Sequence, residues 1–383
     1  MKAKTWALMM CLAYIGALGL LFGVVWMTVA PYTKKGDAAM SFTPIARERK
    51  ADYISAHLDD FDSFVLGGSK SGALNPELLD ALTGRTFYNY WNNGGNFYDY
   101  EQILDFILRK KKNAVKQIVL HLSVHEAQEY NRNGFMPSAM YNNPFKRIFY
   151  KAKSIMQFYL NVSTFTGFRK TFEKELWIPR GQPRNGTDRA ETDPISQELF
   201  KNNPAMFRKL VLSYWTDYDT AIENLFRMEQ RLPACDDNIA ALRRIKAKCD
   251  ERGITLTVVL APTFVAELYM YKSPQFWDYF CAIAEVQPFW NFSGINAVSM
   301  NPYNFLNGGH YFYFIGDRMA NIMFGTDERA SESATAADFG GMDDFGQLIT
   351  PENVDEYIAR QTELWLALKD EYERTGTIAL MEE

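Results

Sequence analysis

The sequence predicts an α/β protein with a mostly parallel sheet and helices on both of its faces. Two observations lead to this prediction. Short apolar segments of strand composition alternate with segments of helical spacing, and residues 254–261 (ITLTVVLA), which Pro262 stops, are the plainest strand. Polar residues also follow several predicted strands directly, and open α/β sheets place functional groups at the carboxyl ends of their strands.

Each element is predicted from its local pattern. Residues 98–112 show helical spacing and end in a basic turn, and the helix at 236–252 stops at Gly253. Thr350 can cap a last helix, which extends to about residue 372, and Pro351 suits its first turn. The other predicted strands are 62–67, 85–89, 117–124 and 289–292, and the other predicted helices are 76–82, 145–160, 206–230, 273–286 and 313–324.

An uncharged apolar segment precedes this domain. Residues 6–30 contain no charged residue and are long enough to cross a hydrocarbon core of about 30 Å. Lys2 and Lys4 favour a cytoplasmic N-terminus, whereas Lys34 and Lys35 favour the opposite orientation. A cleaved signal peptide is the alternative, but the apolar run is longer than usual for one. We expect a single-pass anchor in the cell membrane, with the main domain outside the cytoplasm.

Composition divides the rest of the chain. Residues 37–328 are predicted to form the main domain, which the aromatic-rich segment 126–233 interrupts as an insertion. Residues 329–383 are predicted to begin as an acidic linker, without Lys or Arg between Arg329 and Arg360, and to end in a helix.

The net charge of −5 argues against a nucleic-acid partner. Three cysteines outside the apolar segment indicate no disulfide framework.

Two glycine-containing segments carry the predicted chemistry. Residues 64–71 (FVLGGSKS) indicate a buried strand that ends on two glycines and places Ser69 at its carboxyl end. Residues 307–310 (NGGH) add His310, with Asn307 three residues before it. This is the chain order of a nucleophile and its base, so we predict a catalytic pair. The alternatives are a turn residue at Ser69 and a histidine packed among aromatic neighbours at 310.

These segments resemble the SGNH (GDSL-like) hydrolase superfamily. The likeness rests on Ser69 after two glycines, on Asn89 with Gly94 five residues later, and on the block that ends at His310. Within this superfamily, the chain is most similar to membrane-anchored extracytoplasmic proteins that work with membrane-bound O-acyltransferases. Those proteins take part in O-acetylation of alginate and cellulose and in D-alanyl transfer to teichoic acid. The insertion has no counterpart in the resemblance.

The resemblance implies a three-layer α/β/α, flavodoxin-like fold and a Ser–His catalytic arrangement. Ser69 would be the nucleophile and His310 its base, with Asn307 where the family usually has Asp. An Asn orients an imidazole but does not stabilise its cation, and in a serine protease the Asp→Asn change costs about 10⁴ in kcat. Asp317, on the next predicted helix, is the alternative acid.

The resemblance also implies the groups around the reacting carbonyl. The backbone N–H groups of Ser69 and Gly94 would form an oxyanion hole, and Asn89 belongs to the same family block. The family usually adds an Asn after the next strand. Ser123 or His125 stands near that position here, so either one of them replaces the Asn as a donor or the third donor is missing.

Two classes of function follow from the resemblance. The first is an extracytoplasmic O-acyltransferase or esterase that modifies a cell-envelope polysaccharide or teichoic-acid-like polymer. It would form an acyl-Ser69 intermediate and work with a membrane-bound O-acyltransferase. The second is a catalytically degenerate accessory protein that docks on such an acyltransferase or binds glycan. We expect no metal or other cofactor, because His121, Ser123 and His125 share a strand face without enough further ligands.

Overall fold

The computed structural model describes residues 3–33, 43–92, 94–111, 113–128, 130, 136–162, 218–228, 231–307, 309–325 and 345–379. The chain forms two compact units. One comprises Met1–Ile54 and Phe135–Gln182, and the other comprises Ser55–Gly134 and Pro183–Glu383. The predicted insertion is therefore divided between the two units, and its residues 163–217 lie outside the described part of the chain.

The second unit contains the predicted sheet. Its strands are β1 (Ser63–Gly67), β2 (Phe87–Trp91), β3 (Gln117–Leu122), β4 (Thr255–Leu260), β5 (Phe289–Asn291) and, later in the chain, β8 (Gln347–Ile349). Their order is β2-β1-β3-β4-β5-β8, and the first five are parallel while β8 is antiparallel to β5. The order of these five parallel strands is that of flavodoxin-like doubly wound sheets. A separate hairpin joins β6 (Phe305–Asn307) to β7 (His310–Tyr311).

Helices alternate with these strands. In chain order they are α1 (Ala3–Thr33), α2 (Thr43–His57), α3 (Pro76–Thr83), α4 (Phe97–Lys110), α5 (Pro144–Val162), α6 (Tyr218–Arg227), α7 (Cys235–Asp250), α8 (Pro274–Val286), α9 (Tyr313–Phe324) and α10 (Val354–Thr375). In the second unit α3 packs on α9, while α7 packs on both α4 and α8. The mostly parallel sheet with its helices confirms the predicted α/β class.

Local chemistry explains where the first elements begin and end. Every residue of β1, β2 and β3 is buried, as is usual for parallel strands covered on both faces. The side chain of Asn75 accepts the N–H of Glu77 at the start of α3, and Gly84, with φ +66°, ends that helix. Asn96 caps α4 in the same way by accepting the N–H of Tyr98.

Two of the differences from the sequence prediction have a local explanation. The second strand begins at Phe87 rather than at residue 85, because Gly84 has only just ended the preceding helix. The carboxylate of Asp80 then accepts the N–H of Phe87, which pairs with Ser63 of β1. Residues 347–349, expected in a linker, form β8 at the edge of the sheet. Three residues are too few for a recognisable strand period.

The predicted anchor, residues 6–30, lies within α1 of the first unit. In the described ranges, no helix combines the length and the apolarity that a membrane crossing requires. The anchor therefore stays a prediction. Residues 329–344 of the predicted linker are outside the described part of the chain.

Candidate active site

Ser69 sits in a tight turn at the carboxyl end of β1. The strand ends at Gly67, and a single 3₁₀ turn, Ser69–Ala73, follows Gly68. A Cβ on Gly67 would lie 2.6 Å from Ser71 Oγ and 2.9 Å from the carbonyl oxygen of His121. Only glycine fits this close approach, so Gly67 lets the chain pack tightly against β3 and present Ser69 at the strand end.

Asn89 holds this turn in place from the neighbouring strand. Its side chain is fully buried in β2, and Nδ2 donates to the carbonyl oxygens of Ser71 at 2.7 Å and Leu74 at 3.0 Å. Two buried hydrogen bonds thus fix the backbone beyond Ser69. Asn89 was predicted near the oxyanion, but here it supports the serine turn and does not line the pocket beside it.

The hairpin of β6 and β7 brings His310 to the serine. The Oγ of Ser69 and the Nε2 of His310 are 2.7 Å apart, although the two residues are separated by 241 positions in the chain. Burial lowers the pKa of His310 to about 4, and the positive charge of Lys70 acts in the same direction. The imidazole is therefore neutral near pH 7 and can accept the hydroxyl proton.

A pocket of about 290 Å³ opens beside this pair. It lies at the carboxyl ends of β1 to β4, as the topology of an open parallel sheet predicts. Four of the predicted site residues line it: Ser69, Gly94, Ser123 and His125. Four ionisable or basic side chains that the sequence analysis did not assign to the site line it too: Lys70, His121, Glu126 and Glu267.

Lys70 brings a buried amine next to the nucleophile. Its Nζ donates to Thr263 Oγ1 at 3.2 Å and lies 3.5 Å from Nδ1 of His125. Burial lowers the pKa of Lys70 to about 8, although the charges of Glu267 and Glu126 raise it. The amine therefore remains mostly protonated at neutral pH and places a positive charge among the histidines.

A second imidazole, that of His125, is oriented by a carboxylate. Its Nε2 lies 3.1 Å from Oε2 of Glu267, and its Nδ1 lies 3.4 Å from Oγ of Ser123. Burial raises the pKa of Glu267, but the hydrogen bond and charge of His125 and the charges of Lys70 and His310 lower it overall. Glu267 is thus ionised, and its charge also raises the pKa of His310.

Glu126 is the second carboxyl group at the pocket, and it differs from Glu267. Its Oε1 accepts the hydroxyl of Tyr100 at 2.7 Å. Its Oε2 is buried without a hydrogen-bond partner among the described residues. Burial raises the pKa of Glu126 to about 8. The group is therefore mostly protonated at neutral pH, and a neutral carboxyl group can donate a hydrogen bond to a ligand.

The remaining predicted residues are Asn307, Asp317 and Gly94. The backbone of Asn307 pairs with His310 in the hairpin, but its side chain lies outside the described part of the structure. Asp317 lies in α9, where its carbonyl oxygen accepts Nδ2 of Asn321. Gly94 has φ +57°, a left-handed conformation that favours glycine.

The unassigned pocket residues had signals in the sequence. Lys70 directly follows the predicted nucleophile. Glu267 follows the plainest strand of the chain, at the edge where the other functional groups were expected.

Comparisons with family models, with curated proteins and with solved structures found no match to this chain.

Proposed function

We propose that this chain is an SGNH-like serine O-acyltransferase or esterase that modifies a cell-envelope polysaccharide outside the cytoplasm. The observation that carries the proposal is the 2.7 Å contact between Ser69 Oγ and His310 Nε2 at the carboxyl edge of a parallel sheet. A nucleophile and a neutral base in hydrogen-bond contact are the minimum equipment for acyl transfer through a covalent intermediate.

The first half-reaction loads the enzyme. Ser69 Oγ attacks the acyl carbonyl while its proton moves to Nε2 of His310. The backbone N–H groups of Ser69 and Gly94 stabilise the resulting oxyanion. His310 then returns the proton to the leaving group as the carbonyl reforms, which leaves an acyl-Ser69 ester.

The second half-reaction repeats these steps with another nucleophile. A sugar hydroxyl attacks the acyl-Ser69 carbonyl, His310 takes its proton, and the same proton returns to Ser69 Oγ as the ester bond breaks. Water in place of the sugar makes the reaction an esterase reaction. The proposed donor of the acyl group is a membrane-bound O-acyltransferase, and the proposed acceptor is a polysaccharide or a teichoic-acid-like polymer.

The imidazolium that forms in each half-reaction needs a negative charge nearby. An Asn amide carries no charge, whereas Glu267 is ionised and its charge acts on His310. We therefore assign electrostatic stabilisation of the imidazolium to Glu267, which also holds His125. In this respect the site departs from the triad of the family it resembles.

A serine-reactive phosphonate tests this function directly. We expect the full chain to gain one phosphonyl group on the Ser69 peptide, and His310→Ala to lose this labelling because the serine loses its base. His57→Ala is the matched control, since His57 is exposed, contacts Asp60 through Nδ1 at 2.9 Å and does not line the pocket. Ser69→Ala and His310→Ala should also abolish polymer acylation in cells. Unlabelled Ser69 together with normal acylation by both variants would favour the accessory protein instead.

A further inference from the structure

Helix α5 exposes an apolar stripe to solvent. Phe145, Ile148 and Phe149 are 79%, 70% and 64% exposed, far more than large apolar side chains usually are. Their spacing places them on one face of the helix, and exposed Ala152 continues that face. The stripe is therefore a continuous surface and not a set of scattered residues.

The opposite face of α5 is fixed within its own unit. The ring of Tyr150 stacks on Tyr141 with centroids 4.3 Å apart. Ser154 Oγ lies 3.4 Å from Oε1 of Glu48. These contacts settle the rotation of the helix, so the apolar stripe faces outward as a consequence of packing.

Cations border the stripe on both sides. At about 100° per residue, Lys146 and Lys153 fall on one border and Lys151 on the other, while Arg147 lies on the opposite face. The helix, Pro144–Val162, contains no acidic residue. Arg147 donates to the carbonyl oxygen of Tyr141, and Lys151 pairs with Asp52. Lys146 and Lys153 are exposed beside the phenylalanines, and the amine of Lys153 also lies 5.7 Å from the centroid of the Tyr150 ring.

An anionic lipid surface matches this arrangement. Interfacial helices place an apolar face at the boundary of the acyl chains and place Lys and Arg at the level of the lipid phosphates. The same unit also contains α1, which contacts α5 and exposes further apolar residues, among them Trp6 and Leu12. Both the charge and the neighbouring surface thus favour lipid as the occupant.

We propose that α5 is an interfacial helix that lies in the headgroup layer of an anionic membrane, with Phe145, Ile148 and Phe149 directed into the lipid. The proposal is independent of acyl transfer, because none of these residues belongs to the unit that carries Ser69. It assigns the apolar surface of α5 a lipid-binding role beyond that of a single anchoring segment.

A nitroxide side chain at Ala152→Cys tests the proposal in the full chain. Ala367→Cys, an exposed alanine on α10, is the matched control. The accessible cysteines Cys11 and Cys281 are first replaced by Ala, while Cys235 and Cys249 are buried and remain. The protein is placed in nanodiscs of phosphatidylcholine with or without phosphatidylglycerol. The measurement is the accessibility of each label to oxygen and to a water-soluble nickel complex.

With phosphatidylglycerol, we expect the label at 152 to be reached mainly by oxygen and the label at 367 mainly by nickel. Replacing Lys146 and Lys153 by Gln should lower the ratio of immersed to exposed label about fivefold for each lysine, because each contributes roughly 1 kcal/mol near an anionic surface. Replacement of both by Arg should keep the ratio.

Two results would overturn the proposal. One is a label at 152 that nickel reaches equally well with both lipid compositions. The other is a label that leaves water only when a membrane-bound acyltransferase is added, which would make α5 a protein-docking surface.

Discussion

At the scale of single residues, the site combines a conventional pair with an unusual electrostatic setting. Ser69 and His310 are in contact, and the charges of Lys70 and Glu267 act on the pKa of the imidazole in opposite directions. The base strength of His310 is therefore a balance between burial, the charges of Lys70 and Glu267, and the neighbouring His125. Two sets of variants test this balance.

The first prediction concerns the acid limb of the pH–rate profile. Because burial lowers the pKa of His310 to about 4, esterase kcat/KM should fall only as the pH approaches about 4. Removing the negative charge with Glu267→Gln should move the limb to lower pH. Removing the positive charge with Lys70→Gln should move it to higher pH. Shifts in the same direction for both variants would contradict the assigned balance.

The second prediction concerns Asn307. A carboxylate at this position would stabilise the imidazolium that forms as Ser69 attacks. We therefore expect Asn307→Asp to raise turnover of small activated esters and Asn307→Ala to lower it. An inactive Asp variant together with a normal Ala variant would mean that Asn307 does not touch His310. Asp317→Asn would then be the next variant to measure.

At the scale of elements, the serine turn depends on close backbone packing. A Cβ on Gly67 would meet Ser71 Oγ and the His121 carbonyl oxygen below 3 Å, whereas one on Gly68 meets its nearest atom, Tyr100 Oη, at 3.4 Å. We expect Gly67→Ala to destabilise the protein by about 1–3 kcal/mol through overpacking. Gly68→Ala is the matched control and should cost little. Urea unfolding of both variants checks this, and equal losses would be inconsistent with the packing argument.

Some elements could be predicted from sequence and others could not. The helix at 313–324 was predicted with the bounds the structure has, because its apolar spacing is long and regular. β8 was missed, since three residues show no period and only pairing with β5 defines them as a strand. Asn89 was placed in the right element, but its hydrogen-bond partners could not be predicted. Only the fold reveals that its amide bonds the turn instead of lining the pocket.

The candidate site likewise contains residues that could be predicted from the sequence and residues that could not. Ser69 and His310 were predicted because glycine turns and a nucleophile–base order are local signals. Glu267 was missed because its link to His125 joins two loops that are distant in sequence and depends on the order of β3 and β4 in the sheet. Its position at the end of a predicted strand was available, but no spacing in the sequence distinguishes it from a solvated loop glutamate.

At the scale of the whole molecule, buried ionisable groups link stability to pH. Burial lowers the pKa of His121 to about 3 and that of His310 to about 4, and it also lowers the pKa of His125. Between pH 4.5 and the usual histidine pKa near 6.5, the unfolded chain therefore binds more protons at these sites. Glu126 has the opposite effect, because its raised pKa keeps a proton on the folded state up to about pH 8.

The fourth prediction follows from these signs. The three histidines together bind more extra protons in the unfolded chain than Glu126 binds in the folded state. The free energy of unfolding should therefore increase as the pH rises from 4.5 to 6.5. His121→Gln should make this increase shallower, by up to about 1.4 kcal/mol per pH unit. Glu126→Gln should make it steeper, because the opposing contribution is removed. Urea titrations at several pH values measure the slopes. Parallel slopes in the native protein and both variants would contradict this linkage.

The distance between the nucleophile and its base along the chain has a consequence for biosynthesis. Ser69 is made 241 residues before His310, which corresponds to roughly 10–50 s at 5–20 residues per second. On the proposed mechanism, a nascent chain thus carries Ser69 without its base. Premature termination anywhere before His310 would yield a fragment that lacks this base. Ser69 would become a nucleophile only after the β6–β7 hairpin has been synthesised and has folded against the serine turn.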